Sequence, residues 1–294
     1  MKAILGFDME SDIGSWTTGY EGIKHATPKL IDLLGMHDVK ATFFWVAQAA
    51  VDNPESVRLV ADTGHEIGSH SLFHETVGDP LFPVPGVNPI LESELPERLR
   101  LAHKYIQETC DAIPRSFRAP RLFGGTKLIN TLEQLGYLVD ASYPLYFYRE
   151  QLSPYRPSST DWTKRGDMRL LEIPNFADIT APTTDPYHRD QDQWPLFRTK
   201  GSAQLLHHIR NFLALLDERG EERVLCFYFH PWEFVEMPQG EIFVGEGWVR
   251  PHPFIVENCG DYALQQLDIL IQSLKTMGFT FTTCIDYALA RGTG

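Results

Sequence analysis

Short apolar segments alternate with longer amphipathic segments along the whole chain, and few folds accommodate this order. Residues 3–7, 41–46 and 223–229 are apolar runs with the length of buried strands. Shorter runs of the same kind lie at 65–68, 115–118, 137–141, 170–174 and 279–283. Helical spacing of apolar residues is found at 27–38, 53–63, 92–111, 125–136, 201–219 and 261–277. This alternation predicts an α/β fold, a distorted barrel of about seven β/α units with a mostly parallel sheet.

No change of composition and no low-complexity tract divides the chain, so residues 1–294 are expected to form one domain. Three loop-rich segments, at about 143–169, 175–199 and 235–259, are expected to be insertions at one rim of the barrel. The first helix is expected to begin at Thr27 and Pro28, because Thr is a good N-cap and Pro suits the first helical position.

The acidic composition excludes several classes of partner. With 39 Asp and Glu against 26 Lys and Arg, the formal net charge is −13. Nucleic-acid binding needs a basic surface, and a transmembrane helix needs about 20 apolar residues in a row, so neither is expected. Asp8 and Glu10 interrupt the N-terminal segment before it could act as a signal peptide, which predicts a cytoplasmic location. Four widely spaced cysteines are given no chemical role. A homo-oligomer is left open.

Several predicted strands end in polar or titratable residues. Since the carboxyl ends of parallel strands meet at one mouth of a barrel, these residues are expected to converge although they are far apart in the sequence. Each also has a structural alternative: capping or an ion pair for Asp8 and Glu10, surface or packing positions for His70 and His74, ordinary surface charge for Arg118, a turn position for Asp140 and a core position for His230. The residues concerned are Asp8, Glu10, His70, His74, Arg118, Asp140 and His230.

His70 and His74 have the spacing at which one helical turn places two imidazoles on the same side. With Glu10 they make a set of two histidines and one carboxylate, which is typical of a catalytic zinc or iron site with open positions. Asp8 lies two residues before Glu10, so one carboxylate can bind metal while the other accepts a proton from metal-bound water. Asp12 is a second candidate ligand.

The motifs FDME (7–10), GHEIGSHSLFHE (64–75), FRAPR (117–121) and FHPWEF (229–234) together resemble the polysaccharide deacetylase superfamily, also called the NodB homology domain or carbohydrate esterase family 4. The histidine motif is the most specific of them, and KATFFWVAQAA (40–50) resembles the second strand of that family. The resemblance runs from Ile4 to about Glu233. It implies a distorted, TIM-like (β/α)7 barrel.

The resemblance also implies a role for each matching residue. Asp8 would be the general base and Arg118 would orient it. Glu10, His70 and His74 would bind one divalent metal ion, zinc in the first place, with cobalt, nickel or iron as alternatives. His230 would be the general acid, and Asp140 would tune it. The chain departs from the usual pattern, because Met9 separates two acidic residues that are ordinarily adjacent.

Substrate contacts are expected from residues at the rim. Tyr143 and Trp248 could stack on a sugar ring, and Trp232 could form part of an apolar wall, although local packing is the alternative for each aromatic residue. Arg121 could bind an anionic group of a substrate.

Three functions are compatible with these residues. The first is a metal-dependent hydrolase that removes an acetyl or formyl group from the nitrogen of an amino sugar or glycan. The second is a ring-opening hydrolase of a cyclic amide or imide, as in allantoinase-like relatives of the superfamily. The third is a carbohydrate-binding protein without catalysis, which the complete set of candidate catalytic residues disfavours.

Overall fold

The first strand, β1 (Lys2–Met9), is the most connected element of the sheet. All residues after Lys2 in this strand are buried, as expected for a parallel strand covered on both faces. The structure is a computed structural model, and it describes residues 1–84, 86–194, 196–243 and 247–292. The described residues do not include positions 195 and 244–246 of the predicted rim segments or positions 293–294 of the predicted domain.

The remaining strands follow β1 in a mostly parallel arrangement. They are β2 (Thr42–Trp45), β3 (Glu66–Ser69), β4 (Ser116–Phe117), β5 (Val139–Asp140), β6 (Leu171–Glu172), β7 (Val224–Phe229), β8 (Ile242–Phe243), β9 (Trp248–Val249) and β10 (Thr280–Phe281). Only β8 and β9 pair antiparallel among the described strands, as a separate two-stranded sheet.

Helices cover the outside of this sheet. They are α1 (Asp12–Ser15), α2 (Glu21–Met36), α3 (Ala47–Asp52), α4 (Pro54–Asp62), α5 (Leu95–Cys110), α6 (Thr126–Gln134), α7 (Leu145–Tyr148), α8 (Leu196–Thr199), α9 (Ser202–Arg219), α10 (Pro253–Val256), α11 (Asp261–Thr276) and α12 (Cys284–Ala290). The described residues contain no helix that is long and apolar enough to cross a membrane.

The sheet closes into a distorted barrel. Strands β1 to β6 lie side by side in sequence order, β7 pairs with β1 on its other side, and β10 pairs with the first residues of β1. No ladder joins β6 to β7 among the described residues, but the chain just after β6 approaches β7 where Phe176 N–H donates to the Cys226 carbonyl at 2.8 Å. The predicted α/β class and distorted (β/α)7 barrel are therefore confirmed.

One predicted helix start was wrong. Helix α2 begins at Glu21 rather than at Thr27, and Pro28 lies inside it. The N–H groups of Glu21 and Gly22 each donate to the Asp12 carboxylate at 2.8 Å, so a remote side chain caps the helix. The cap stabilises a first turn that local sequence did not indicate, and the helix accommodates Pro28 in its interior.

The segment 143–169 is not a purely exposed excursion. Tyr143, Tyr155 and Trp162 are buried, and the Tyr143 ring contacts both other rings with centroids 5.7 Å away. This aromatic cluster anchors the segment to the barrel. The division into one domain with rim insertions stays a prediction.

Candidate active site

Three potential metal ligands converge at the carboxyl ends of β1 and β3. Glu10 directly follows β1, and His70 directly follows β3. One ligand atom from each of Glu10, His70 and His74 lies within 4.8 Å of the others, and all three side chains are buried. His74 Nε2 is 2.5 Å from Glu10 Oε2, and His70 Nε2 is 3.8 Å from the same oxygen.

The hydrogen bonds around this triad fit a metal. His70 Nδ1 lies 2.7 Å from the Arg118 carbonyl, an acceptor, so Nδ1 carries the proton and Nε2 is left as the ligand atom. Buried Glu10 Oε1 and His74 Nδ1 have no hydrogen-bond partner among the described residues. Unpartnered buried polar atoms are costly, and a bound cation would supply the missing interaction for the carboxylate.

Electrostatics keep Glu10 and His74 in the forms that can bind a metal ion. Burial would raise the pKa of Glu10, but His74 and His70 hold it well below its usual range. Burial lowers the pKa of His74 and outweighs the opposing effect of Glu10. Both directions give an ionised carboxylate beside a neutral imidazole at neutral pH, and these are the forms that bind a metal ion.

Asp8 forms a buried ion pair with Arg118. Arg118 Nη1 donates to Asp8 Oδ1 at 2.8 Å, and Nε donates to the Ala141 carbonyl at 3.1 Å. The guanidinium is fully buried and also lies over the Phe44 ring, 4.3 Å from its centroid. Gly6 provides the space, because a Cβ there would lie only 2.3 Å from Arg118 Nη1. The pair fixes the orientation of the Asp8 carboxylate.

His230 is paired with Glu233 rather than with Asp140. Glu233 Oε1 lies 3.0 Å from His230 Nδ1, and Glu233 Oε2 accepts from Arg198 Nε at 2.9 Å. Burial would lower the pKa of His230, but Glu233 and Glu10 raise it above its ordinary value. The expected partnership of Asp140 with His230 was wrong because the turn Pro231–Phe234 brings Glu233 back onto the ring.

Asp140 belongs to a second buried group. Its Oδ1 accepts from Ser142 Oγ at 2.6 Å, and it interacts with Glu172, whose Oε1 accepts from the backbone N–H of Ser142 and of Tyr143. Burial raises the pKa of Asp140 to about 6, and burial and Asp140 raise that of Glu172 well above its usual range. Asp140 Oδ2 and Glu172 Oε2 have no hydrogen-bond partner among the described residues. Two buried carboxylates this close disfavour ionisation of both, which is consistent with the raised pKa of each.

A cavity of about 200 Å³ opens above these groups. Asp8, Glu10, His70, His74 and His230 all line it, so the structure brings the two catalytic candidates and the three metal-ligand candidates to one wall. Arg118 lies behind Asp8. Aromatic residues form much of the remaining wall, among them Trp16, Tyr146, Trp194 and Trp232.

Two of the four predicted substrate contacts line the cavity. Trp232 is buried and stacks on His230 with centroids 5.2 Å apart, and Arg121 lies at the edge near His74. The described lining does not include Tyr143 or Trp248. The Tyr143 hydroxyl instead accepts from Gln151 N–H at 3.2 Å, and Trp248 is 69% exposed, where it packs on Phe243.

Asp12 has a structural role. Both of its carboxylate oxygens accept backbone N–H groups at the start of α2, so neither is directed to the triad. This leaves Glu10 as the carboxylate of the candidate metal site.

Sequence reasoning missed Glu233, Arg198 and Arg189. Glu233 carried a usable signal, since the spacing of His230 and Glu233 is that of a capping box, which the structure contains. Arg189 lines the cavity from a loop-rich segment, and Arg198 reaches Glu233 from α8. Neither arginine belongs to a local pattern that could have been recognised.

The sequence is similar to those of known polysaccharide deacetylases. Residues 7–139 match the family model of polysaccharide deacetylases. A chitooligosaccharide deacetylase of Bradyrhizobium sp. (strain ANU 289) is 30% identical over 95 residues, which cover 32% of this chain and 39% of that enzyme. The matched segments span less than half the length of each of the first three curated relatives.

Solved structures agree in fold over nearly the whole chain. A Mycobacterium smegmatis protein assigned to the polysaccharide deacetylases covers 98% of this chain and is itself covered to 89%, with a TM-score of 0.65 and 19% identity. Puue allantoinase covers 98% and is covered to 88%, with a TM-score of 0.63 and 16% identity. Both likenesses concern the fold alone. Over residues 7–139, the chain is therefore similar to the polysaccharide deacetylase family.

Proposed function

We propose that this protein is a metal-dependent hydrolase that removes an N-acyl group, acetyl or formyl, from an amino sugar or glycan. One observation carries the proposal: the Asp8–Arg118 pair, the triad and the His230–Glu233 pair all converge on one cavity. The family match and the relatives named as chitooligosaccharide and peptidoglycan deacetylases support an amide of a glycan as the substrate.

Glu10, His70 and His74 would hold the metal, and zinc suits two imidazoles and one carboxylate. A divalent ion bound there would lower the pKa of water and polarise the amide carbonyl. The proposal of zinc rests on the donor set, and cobalt, nickel and iron bind similar donors.

Asp8 acts as the general base and accepts a proton from the water that attacks the amide carbonyl. Arg118 holds the carboxylate in place through the 2.8 Å bond to Oδ1. Because Asp8 and Glu10 both line the cavity, Asp8 is close to the place where a metal-bound water would lie.

His230 acts as the general acid and donates a proton to the departing nitrogen. A leaving amine needs this proton, and the raised pKa of His230 keeps a larger protonated fraction at neutral pH. Nδ1 is directed to Glu233, so Nε2 is the nitrogen available to the substrate.

The test compares acetate or formate release from N-acetylglucosamine, chitooligosaccharides and N-formyl analogues with metal content measured by plasma mass spectrometry. We expect about one metal ion per chain, lost in His74→Ala and retained in the surface control His25→Ala. Asp8→Asn should lower the rate by about 10²–10⁴ and keep the metal. Wild type that binds no metal after supplementation would refute the proposal. Hydrolysis of allantoin but of no N-acyl sugar would replace it with the ring-opening reaction.

A further inference from the structure

Two arginines line the cavity without a part in the proposed hydrolysis. Arg121 and Arg189 both face the space that contains Asp8, Glu10 and His230. A guanidinium is a poor general acid or base because it stays charged, but its planar donors match the oxygens of carboxylates and phosphates.

Arg121 is held with its charge only weakly compensated. It lies in the turn Pro120–Leu122 with φ +60°, a left-handed conformation that strains a non-glycine residue. Its Nη1 donates to the His74 carbonyl at 3.3 Å, and the described residues include no carboxylate within ion-pair distance of it. Burial lowers its pKa, and Glu10 is the nearby charge that opposes this effect.

Arg189 is held mainly by aromatic rings. Its guanidinium carbon is 5.2 Å from the ring centroids of Phe82 and Tyr146 and 6.0 Å from that of Trp194. The nearest carboxylate, Asp192, lies 3.7 Å away and also accepts from the Tyr228 hydroxyl. The Arg189 backbone N–H donates to Asp185 Oδ1 at 3.2 Å, but no hydrogen bond joins its guanidinium to any residue that the structure describes. Its N–H donors are therefore available to the cavity.

The acidic groups of the cavity wall already have partners of opposite charge in the proposed active site. Asp8 is paired with Arg118, and Glu10 is taken by the metal if the proposed function holds. With the metal bound, Arg121 loses the partial compensation that Glu10 provides. The cavity then presents an excess of positive charge, although the chain as a whole carries a formal charge of −13. Local charge dominates inside a low-dielectric cavity because distant surface charges are screened.

We infer that Arg121 and Arg189 form a subsite for an oxyanion, a carboxylate or a phosphate, carried by the same substrate molecule whose amide is hydrolysed. This inference rests on the proposed function and narrows it from N-acyl sugars in general to those that bear a negative charge. The aromatic frame around Arg189 fixes its guanidinium before the substrate arrives, which reduces the ordering cost of binding.

The test measures binding rather than turnover. N-acetylglucosamine, N-acetylmuramic acid and N-acetylglucosamine 6-phosphate carry the same acetamido group with no charge, a carboxylate and a phosphate. Their dissociation constants are measured on the full zinc-loaded chain from tryptophan fluorescence in the first seconds after mixing, because Trp16, Trp194 and Trp232 line the cavity. We expect at least one charged sugar to bind about tenfold or more tightly than the neutral sugar. The tighter of the two identifies the oxyanion.

Substitutions assign this preference to the two arginines. Arg121→Gln and Arg189→Gln should each remove most of it, whereas Arg100→Gln, an exposed arginine on α5 paired with Glu97, should retain it. Arg121→Lys and Arg189→Lys keep the positive charge. If they retain part of the preference, its loss in the Gln variants is not caused by misfolding. Equal binding of all three sugars, or a preference that survives both Gln substitutions, would overturn the inference. Arginine-dependent preference without any hydrolysis would instead refute the proposed function and leave the oxyanion subsite intact.

Discussion

Glu233 holds His230 at two points: its Oε1 accepts the His230 backbone N–H at 2.9 Å and lies 3.0 Å from the ring Nδ1. One carboxylate oxygen therefore fixes both the backbone and the ring of the proposed general acid. Arg198 binds the other oxygen of Glu233 and keeps the carboxylate ionised, so that the pKa of Glu233 is lowered despite burial.

Glu233→Gln should narrow the pH range of activity. Loss of the negative charge lowers the pKa of His230, so the protonated acid disappears at a lower pH. We expect the alkaline limb of the kcat/KM profile to move down by about one pH unit, with the acidic limb unchanged. Glu236→Gln, on the exposed side of the same segment, should leave the profile as in wild type. An unmoved alkaline limb in Glu233→Gln would exclude this role.

Gly6→Ala should disturb the base without touching Asp8 itself. The added methyl group would lie 2.3 Å from Arg118 Nη1 and displace a fully buried guanidinium. We expect a loss of about 1–3 kcal/mol in unfolding free energy and a large drop in kcat. Gly35→Ala is the matched control, because nothing lies within 4 Å of its added Cβ in helix α2. It should be neutral or stabilising by up to about 1 kcal/mol. Chemical denaturation and initial rates measure both effects.

Asp12→Ala should show whether Asp12 caps helix α2 or binds the metal. It removes the acceptor of two backbone N–H groups at the start of α2, at a cost of about 0.5–2 kcal/mol in unfolding free energy. Metal content should remain that of wild type. Asp62→Ala, at the exposed end of α4, serves as the control. If Asp12→Ala loses its metal although Glu10, His70 and His74 are unchanged, the set of three ligands is incomplete.

Glu172→Gln should reduce the loss of stability at alkaline pH. The folded pKa of Asp140 is raised to about 6 and that of Glu172 well above its usual range, so the folded state binds more protons than the unfolded state. The contribution of the pair is therefore present at acidic pH and lost as pH rises through these values. The amide oxygen of Gln can still accept from Ser142 and Tyr143 N–H.

The measurement is urea denaturation at pH 5 and pH 8. The fall in unfolding free energy between the two should be smaller in Glu172→Gln than in wild type. The exposed Glu55→Gln should reproduce the wild-type difference. An identical fall in Glu172→Gln and wild type would mean that the two carboxyls do not titrate as a pair.

The convergence of Asp8, Glu10, His70 and His230 was predictable because it follows from topology. Parallel strands end at one mouth, so residues that directly follow a buried strand share that mouth whatever their separation in sequence. His74 lies beside His70, but the helical turn on which that expectation rested was wrong: residues 70–74 form no helix, and Ser71 and His74 have positive φ. None of these inferences needed the conformation of a long loop.

The side-chain partners were not predictable in the same way. Asp140 ends β5 and satisfies the same rule, yet its contacts are with Ser142 and with Glu172, its neighbour at the end of β6. Likewise, α2 starts early because Asp12 caps it from a separate segment. Both outcomes depend on contacts that form only when distant parts of the backbone are already placed.

The pairing of β1 with three other strands has a consequence for biosynthesis. Its neighbour β2 follows early in translation, but β7 and β10 lie in the last quarter of the chain, and His230 directly follows β7. A ribosome must therefore release most of the polypeptide before Asp8 and His230 can face the same cavity. Contacts this distant in sequence slow folding, so the reactive centre is expected to mature after much of the helical scaffold has formed. A nascent chain stalled before β7 would carry the three proposed metal ligands but not His230, the proposed general acid.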